Sequence, residues 1–262
     1  MQTTRAIKGL LLDMDGVLHI GDRAIPGAAA TLYVLRERGI PFRFVTNTSR
    51  RPPDELQRAM AALGIDVGED EIFSAVAATR RYLEQAGQPR CHLLVADAVQ
   101  PCFAQFPRDD HAPDFVVIGD IGERWDYALL NEVFGMLMRG AKLVCMHRNR
   151  YWQTEQGLKM DIGAFVAALE YVSGQQAIVI GKPSWDFFRL TVQALGLTAG
   201  EVAIVGDDID SDIGGGQAVG LRGILVRTGK YREELVQRSS VSPDHVIDSI
   251  AELPDLLATT QG

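Results

Sequence analysis

The chain has 262 residues, enough for one large or two modest domains, and 47% of them are hydrophobic, which supports a packed core and excludes disorder. Its 26 basic and 34 acidic residues leave a formal net charge of −8, which disfavours nucleic acid or an anionic membrane as the main partner while leaving a small anion open. The three cysteines, Cys91, Cys102 and Cys145, form no C-x-x-C pair, so no disulfide framework or zinc site is expected, and reduced thiols in the cytosol are.

In chain order, the first apolar run, Ile7–Leu12, is cut short by Asp13; it suits a buried strand and is too brief for a signal sequence or a membrane span. Pro26–Gly39 has helical spacing, Pro41–Thr46 reads as the next strand, and Arg51–Gly64 as a helix opened by prolines and closed by Gly64. The middle of the chain predicts a helix at Ser74–Ala86, strands at Cys91–Val95 and Phe115–Ile118, and a helix at Tyr127–Arg139. A strand at Lys142–Cys145 and a helix at Ile162–Val172 follow. The first rhythm then resumes with a strand at Ala177–Gly181, a helix at Ser184–Gly196 and a strand at Glu201–Gly206. A short helix to Gly220, a strand at Arg222–Val226 and a final strand at Asp244–Ile247 complete it. Alternation of this kind implies a doubly wound α/β core with a mostly parallel sheet, made of residues 1–74 and 178–262. A second α/β unit, residues 75–177, is inserted between its halves.

A buried strand gains no stability by ending in two acids, yet the first strand runs into Asp13 and Asp15. In open parallel sheets ligands bind at the carboxyl ends of strands. Thr46 and Asn47 follow the second strand, Lys182 follows Ala177–Ile180, and Asp207 and Asp212 follow Glu201–Val205. Carboxylates brought together need a cation, and oxygen ligands without histidine or cysteine suit Mg²⁺ better than zinc. A lysine and a hydroxyl at the same edge suit phosphate oxygens. The set fits phosphoryl transfer in which Asp13 attacks phosphorus and Asp15 moves the proton.

Each piece alone has a plainer reading. Asp13-x-Asp15 is equally a polar strand end, Thr46–Asn47 more often an Asx or ST turn, and a single lysine a solvated one. The stretch DDIDSD, Asp207–Asp212, is not a calcium loop, because the glycine and terminal glutamate positions would hold Ile213 and Val219. Gly214–Gly220 does not spell G-x-G-x-x-G, and Gly181-Lys182-Pro183-Ser184 lacks the upstream glycine of a Walker loop. In the insert, His147 or Arg150 is a candidate to meet a second anionic or polar group of the substrate, with an exposed loop whose aromatics, Trp152 above all, pack into the insert as the competing reading; His19 stays ambiguous.

Taken in order, DMDGV (Asp13–Val17), FVTN (Phe44–Asn47), GKPS (Gly181–Ser184) and GDDIDSDIGGGQAVG (Gly206–Gly220) resemble the four motifs of the haloacid dehalogenase superfamily. The long insert between the second and third motifs resembles its NagD-like branch, in which the insert is a cap. The stretches LHIGD, RFVTNTS, HRNRYW and LVRTGKYR look closest to the phospholysine/phosphohistidine inorganic pyrophosphate phosphatase group and its HAD-domain-containing relatives. The resemblance implies a Mg²⁺-dependent phosphatase acting on small phosphorylated metabolites through an aspartyl-phosphate. Asp13 would be nucleophile and Asp15 general acid/base. Thr46 and the Asn47 backbone would bind the phosphoryl group, with Lys182 pairing it and Asp13. The metal would be held by Asp13, the Asp15 carbonyl and Asp207, supported by Asp212. It also implies a cytoplasmic protein and a homodimer formed through the cap. A phosphotransferase or phosphomutase, and a non-catalytic phospho-regulatory module, are the alternatives.

Overall fold

The computed structural model describes residues 6–154 and 157–260. Its strands, in chain order, are β1 (Gly9–Asp13), β2 (His19–Ile20), β3 (Arg23–Ala24), β4 (Phe42–Thr46), β5 (Ile72–Ser74), β6 (Cys91–Leu94) and β7 (Phe115–Ile118). They continue with β8 (Lys142–Cys145), β9 (Tyr151–Thr154), β10 (Gly157–Met160), β11 (Ile178–Val179), β12 (Val202–Gly206), β13 (Arg222–Val226) and β14 (His245–Ile247). The α-helices are α1 (Ala28–Glu37), α2 (Pro53–Ala62), α3 (Ala75–Gln85), α4 (Tyr127–Met138), α5 (Gly163–Ser173), α6 (Trp185–Ala194), α7 (Gly215–Ala218), α8 (Glu233–Arg238) and α9 (Leu253–Thr260).

Six strands form one sheet in the order β14-β13-β12-β1-β4-β5, and every neighbouring pair is parallel. β1 and β12 are buried along their whole length, as expected of central strands with helices on both faces. One face packs Leu10, Leu12, Phe44 and Val205 against Leu32 and Leu35 of α1, Met60 of α2 and Leu257 of α9. The other packs Leu11, Val45 and Ile204 against Phe187 and Phe188 of α6 and Ala75 and Val76 of α3. The same apolar cluster continues into Leu93, Val117 and Val144 of a second sheet, so α3 joins the two units through shared side chains.

Local chemistry explains where several helices begin. α2 follows Pro52 with Pro53 at its start and carries Asp54 and Glu55 in its first turn, where unpaired amides favour acids. The Ser74 hydroxyl accepts from the Ala77 amide to open α3, and the Asp126 carboxylate does the same for α4 from Leu129. Ser184 precedes α6, but its side chain makes no such bond.

The second sheet has four parallel strands in the order β11-β8-β7-β6, with α4 and α5 on one face. This corrects one expectation. The strand after Ala177 was assigned to the first sheet; Ile178 and Val179 instead pair with Val144 and Cys145 of β8. Apolar alternation does not distinguish one parallel sheet from another, whereas a crossover through α5 returns the chain beside the strand it left. Lys182 therefore approaches the first sheet from the edge of the second. The hairpin β9–β10 and the short strands β2, β3 and β5 were not read from sequence; the hairpin leaves Trp152 exposed rather than packed into the insert.

Candidate active site

β12, β1 and β4 are adjacent and parallel, so their carboxyl ends lie together, and those ends carry Asp207, Asp13 and Thr46. Into this edge come Lys182 from beyond β11 and Asp212 from the π-helical turn after β12. The residues expected from sequence thus meet, although they span most of the chain.

Lys182 is the hub. Its Nζ donates to Asp13 Oδ1 at 2.6 Å and lies 2.6 Å from Asp212 Oδ1 as an ion pair off the hydrogen-bond direction. All three residues are almost wholly buried. Carboxylate oxygens of Asp13, Asp207 and Asp212 lie within 4.8 Å of one another. Asp207 Oδ2 accepts from the Lys230 amide at 2.7 Å, while its buried Oδ1 has no hydrogen-bond partner. Asp212 Oδ2 accepts from the Asp208 amide. Gly16 and Gly229 close around Asp207, and both have positive φ. A Cβ on either would stand about 2 Å from Asp207 Oδ2, so only glycine fits there.

The electrostatics follow from burial and from the number of charges of each sign. Desolvation pushes the Asp13 carboxyl well above the usual range; Lys182 opposes this, and Asp212 and Asp15 reinforce it. Asp207 is raised for the same first reason, with Asp13 adding to it. Burial works against the Lys182 ammonium, but Asp13 and Asp212 together outweigh it and raise its pKa. One ammonium shared by two carboxylates is held firmly, while each carboxylate is only half compensated. Lys230, whose Nζ lies 3.7 Å from Asp208 Oδ2, is likewise raised against burial by Asp207 and Asp208.

Three buried carboxylates against Lys182 and Lys230 leave an excess of negative charge. One buried Asp207 oxygen has no hydrogen-bond partner, and all the donors are hard oxygens. That donor set fits a divalent cation.

Asp15 stands apart from the three. Its side chain is half exposed, accepts from Thr48 Oγ1 at 2.9 Å and lies 3.6 Å from His19 Nε2. Thr46 Oγ1 donates to Thr48 Oγ1 and accepts from the Thr48 amide, which holds the hydroxyl at the strand end. His19 Nδ1 pairs with the Gly21 carbonyl, so His19 backs Asp15.

The Asn47 side chain has a function that sequence reasoning missed. Its Oδ1 accepts from the Lys182 amide at 2.8 Å, its Nδ2 donates to the Lys182 carbonyl at 2.9 Å, and Nδ2 also reaches Asn149 Oδ1. The amide thus clamps the peptide of the lysine that bridges Asp13 and Asp212. Asn47→Ala is expected to lower kcat on an aryl phosphate more than it raises KM and to cost about 2 kcal/mol in urea unfolding. A KM effect alone would place Asn47 on the substrate instead. Lys230 was not singled out, although it lies in the stretch LVRTGKYR and follows a strand and a glycine, as Lys182 does.

His147 is not poised as a cation. Burial first, then Lys230, drives its pKa down to about 3. Its Nε2 pairs with Ser49 Oγ at 3.2 Å and lies 4.0 Å from Asp161 Oδ1. A histidine held neutral weakens the fold as pH falls from about 6.5, because the unfolded chain binds the proton first. Asp161, raised to about 6 by burial, has the opposite effect over the range from its usual value up to that pH. Removing only the histidine leaves the second. His147→Gln is therefore expected to gain about 2 kcal/mol relative to the parent between pH 6.5 and 5, read from urea midpoints. Parallel pH profiles for the two proteins would refute this.

Residues 10–106 match the haloacid dehalogenase-like hydrolase model, and residues 179–253 match the HAD-hydrolase-like model. Across 96% of this chain and 99% of its own length, haloacid dehalogenase-like hydrolase domain-containing protein 2 from Bos taurus is 40% identical. The chain belongs to the haloacid dehalogenase-like hydrolases. Human phospholysine phosphohistidine inorganic pyrophosphate phosphatase is 37% identical over 96% of this chain and 94% of its own. Among solved structures, p-nitrophenyl phosphatase from Archaeoglobus fulgidus superposes with a TM-score of 0.89 at 28% identity, covering 96% of this chain and all of that one. The 4-nitrophenylphosphatase from Thermotoga maritima gives 0.87 at 28% identity, covering 95% and 97%. The fold is thus the core of this family with its inserted cap, and the protein is a phosphatase of the haloacid dehalogenase type.

Proposed function

We propose that the chain is a Mg²⁺-dependent phosphatase of small phosphorylated metabolites in which Asp13 is the nucleophile. One observation carries the assignment: Lys182 joins Asp13 to Asp212, a carboxylate oxygen of Asp207 lies within 4.8 Å of theirs, and Asp207 Oδ1 is buried without a hydrogen-bond partner. Asp13, Asp207 and the Asp15 carbonyl would hold the cation, with Asp212 in support. When bound, Mg²⁺ supplies positive charge against the phosphoryl oxygens and the acids.

The chain's own groups do the rest. Asp13 attacks phosphorus through a carboxylate oxygen, forming the aspartyl-phosphate as the bond to the leaving oxygen breaks. Asp15, outside the buried cluster and steered by Thr48 and His19, gives a proton to that oxygen and later takes one from the attacking water. Thr46, the Asn47 backbone N–H and Lys182 bind the phosphoryl oxygens and stabilise the charge that builds on them. Residues 75–177 act as a cap that excludes bulk water; Asn47–Asn149 and Ser49–His147 are contacts it makes with the core.

Hydrolysis rather than transfer is the preferred outcome, in keeping with the phosphatases and hydrolases this chain is similar to. The test is release of free phosphate from p-nitrophenyl phosphate with Mg²⁺ and with chelator. Phosphate release equal to nitrophenol release supports hydrolysis. Phosphate appearing on an added alcohol in its place points to a phosphotransferase, and no Mg²⁺-dependent turnover to a regulatory module.

Among the described residues no helix is long and apolar enough to cross a membrane. The three cysteines are free thiols, which supports a reducing, cytoplasmic location. Tyr127 and Met138 of α4 and Tyr171 and Val172 of α5 are exposed on neighbouring cap helices, which supports a homodimer through the cap, testable by light scattering.

A further inference from the structure

Beside the acidic cluster a cavity of about 580 Å³ lies between the cap segment Arg148–Tyr151 and the core segment from Tyr231 to Ser240, with Asp207 and Lys230 among its lining residues. That volume suits a whole small molecule and far exceeds what one phosphoryl group needs. Tyr151, Tyr231, Leu235 and Val236 give it apolar wall.

The charges in this wall are unequally engaged. Lys230 is occupied by Asp207 and Asp208, and Arg148 is paired with the buried Glu170. Arg150, from the cap side, is three-quarters exposed, and among the described residues its one ion-pair partner is Asp210, whose Oδ2 lies 3.8 Å away. An exposed pair at that distance contributes ~0–1 kcal/mol, so an incoming anion can displace it. Asp210 is anchored on the opposite side by the Ser239 hydroxyl at 2.7 Å. Arg238, in the last turn of α8, is exposed into the same cavity, and among the described residues no carboxylate stands within ion-pair distance of it. In a chain of net charge −8, two lightly engaged guanidinium groups beside the site are a local reversal of sign. Guanidinium also matches carboxylate and phosphate in planar, paired hydrogen bonds.

We propose that this cavity receives the leaving group, and that Arg150 and Arg238 select leaving groups carrying a second anionic group, a carboxylate or further phosphate, at the end remote from the scissile bond. Asp210 holds the place of that anion when the cavity is empty of substrate. The inference rests on the phosphatase reading above and names the substrate class within it.

Two esters of matched size test it: 4-carboxyphenyl phosphate and 4-carbamoylphenyl phosphate, which differ by one charge. The readout is the ratio of their kcat/KM values in the same enzyme, so folding and active-site titre cancel. The parent is expected to favour the carboxylate by roughly tenfold or more, mainly through KM. Arg150→Gln and Arg238→Gln should each shrink the ratio, the double variant should bring it near one, and Arg150→Lys should restore part of it. Added salt should lower the parent's ratio. Turnover of both esters at a ratio near one in the parent, or an unchanged ratio in the double variant, would overturn the inference alone. Absence of Mg²⁺-dependent turnover of either ester would overturn the phosphatase reading and this inference with it.

Discussion

Asp13→Asn is expected to lower kcat by ~10⁴-fold or more while leaving the fold intact or slightly steadier. An amide of the same shape cannot attack phosphorus, so the covalent step is lost. Stability runs the other way, because Asp13 titrates above the usual carboxylate range in the folded chain. Between the usual value and the raised one the folded protein binds more protons than the unfolded chain, so ionising Asp13 weakens folding as pH rises through that window. Replacement removes the cost at neutral and alkaline pH and leaves Lys182 paired with Asp212. In chelator at pH 8 the variant should melt at or above the parent temperature. Added Mg²⁺ should raise the parent's melting temperature more than the variant's. A variant that unfolds at room temperature would make Asp13 a structural residue.

Lys182→Met should be damaging in both respects. The side chain is buried between two carboxylates, so methionine fills its volume and leaves Asp13 and Asp212 facing each other without their cation. Breaking a buried pair by removing one partner costs about 3–5 kcal/mol. The loss should be greatest above neutral pH, where Asp13 is ionised, and Mg²⁺ should recover part of it by supplying the missing positive charge. Turnover should fall ~10³-fold or more even at saturating Mg²⁺, since the phosphoryl oxygens lose a charged donor. Urea unfolding across pH, with and without Mg²⁺, separates the two effects. A variant as stable as the parent at pH 8 in chelator would show that Lys182 compensates neither acid.

Much of this architecture was legible from the residues because it depends on local pattern. The runs Gly9–Leu12 and Val202–Val205 are continuous apolar stretches, which is how strands buried on both faces read, and Phe42–Val45 is broken only by Arg43. Acids, a hydroxyl and a lysine directly after such runs mark ligand-binding strand ends, because nothing in a core rewards a polar group there. Asp13, Thr46, Lys182, Asp207 and Asp212 carry that signal, and the structure places them at one edge.

Other features have no local signature. Asn47 and Lys182 are 135 positions apart, and only the packed chain brings the amide of one to the peptide of the other. The strand Ile178–Val179 has no more apolar character than a core strand would, and pairing with β8 is decided by the crossover that delivers it. His147 looked like a sensor because its residue type can carry charge; burial beside Lys230 removes that charge. The sequence by itself determined the longer parallel strands, the order of the motifs and the kind of chemistry, since these depend on residue type and short-range spacing. Tertiary structure alone decided which acids share a lysine, which arginines stay available to a ligand and which histidine is neutral, because charge depends on what long-range packing places within a few ångströms.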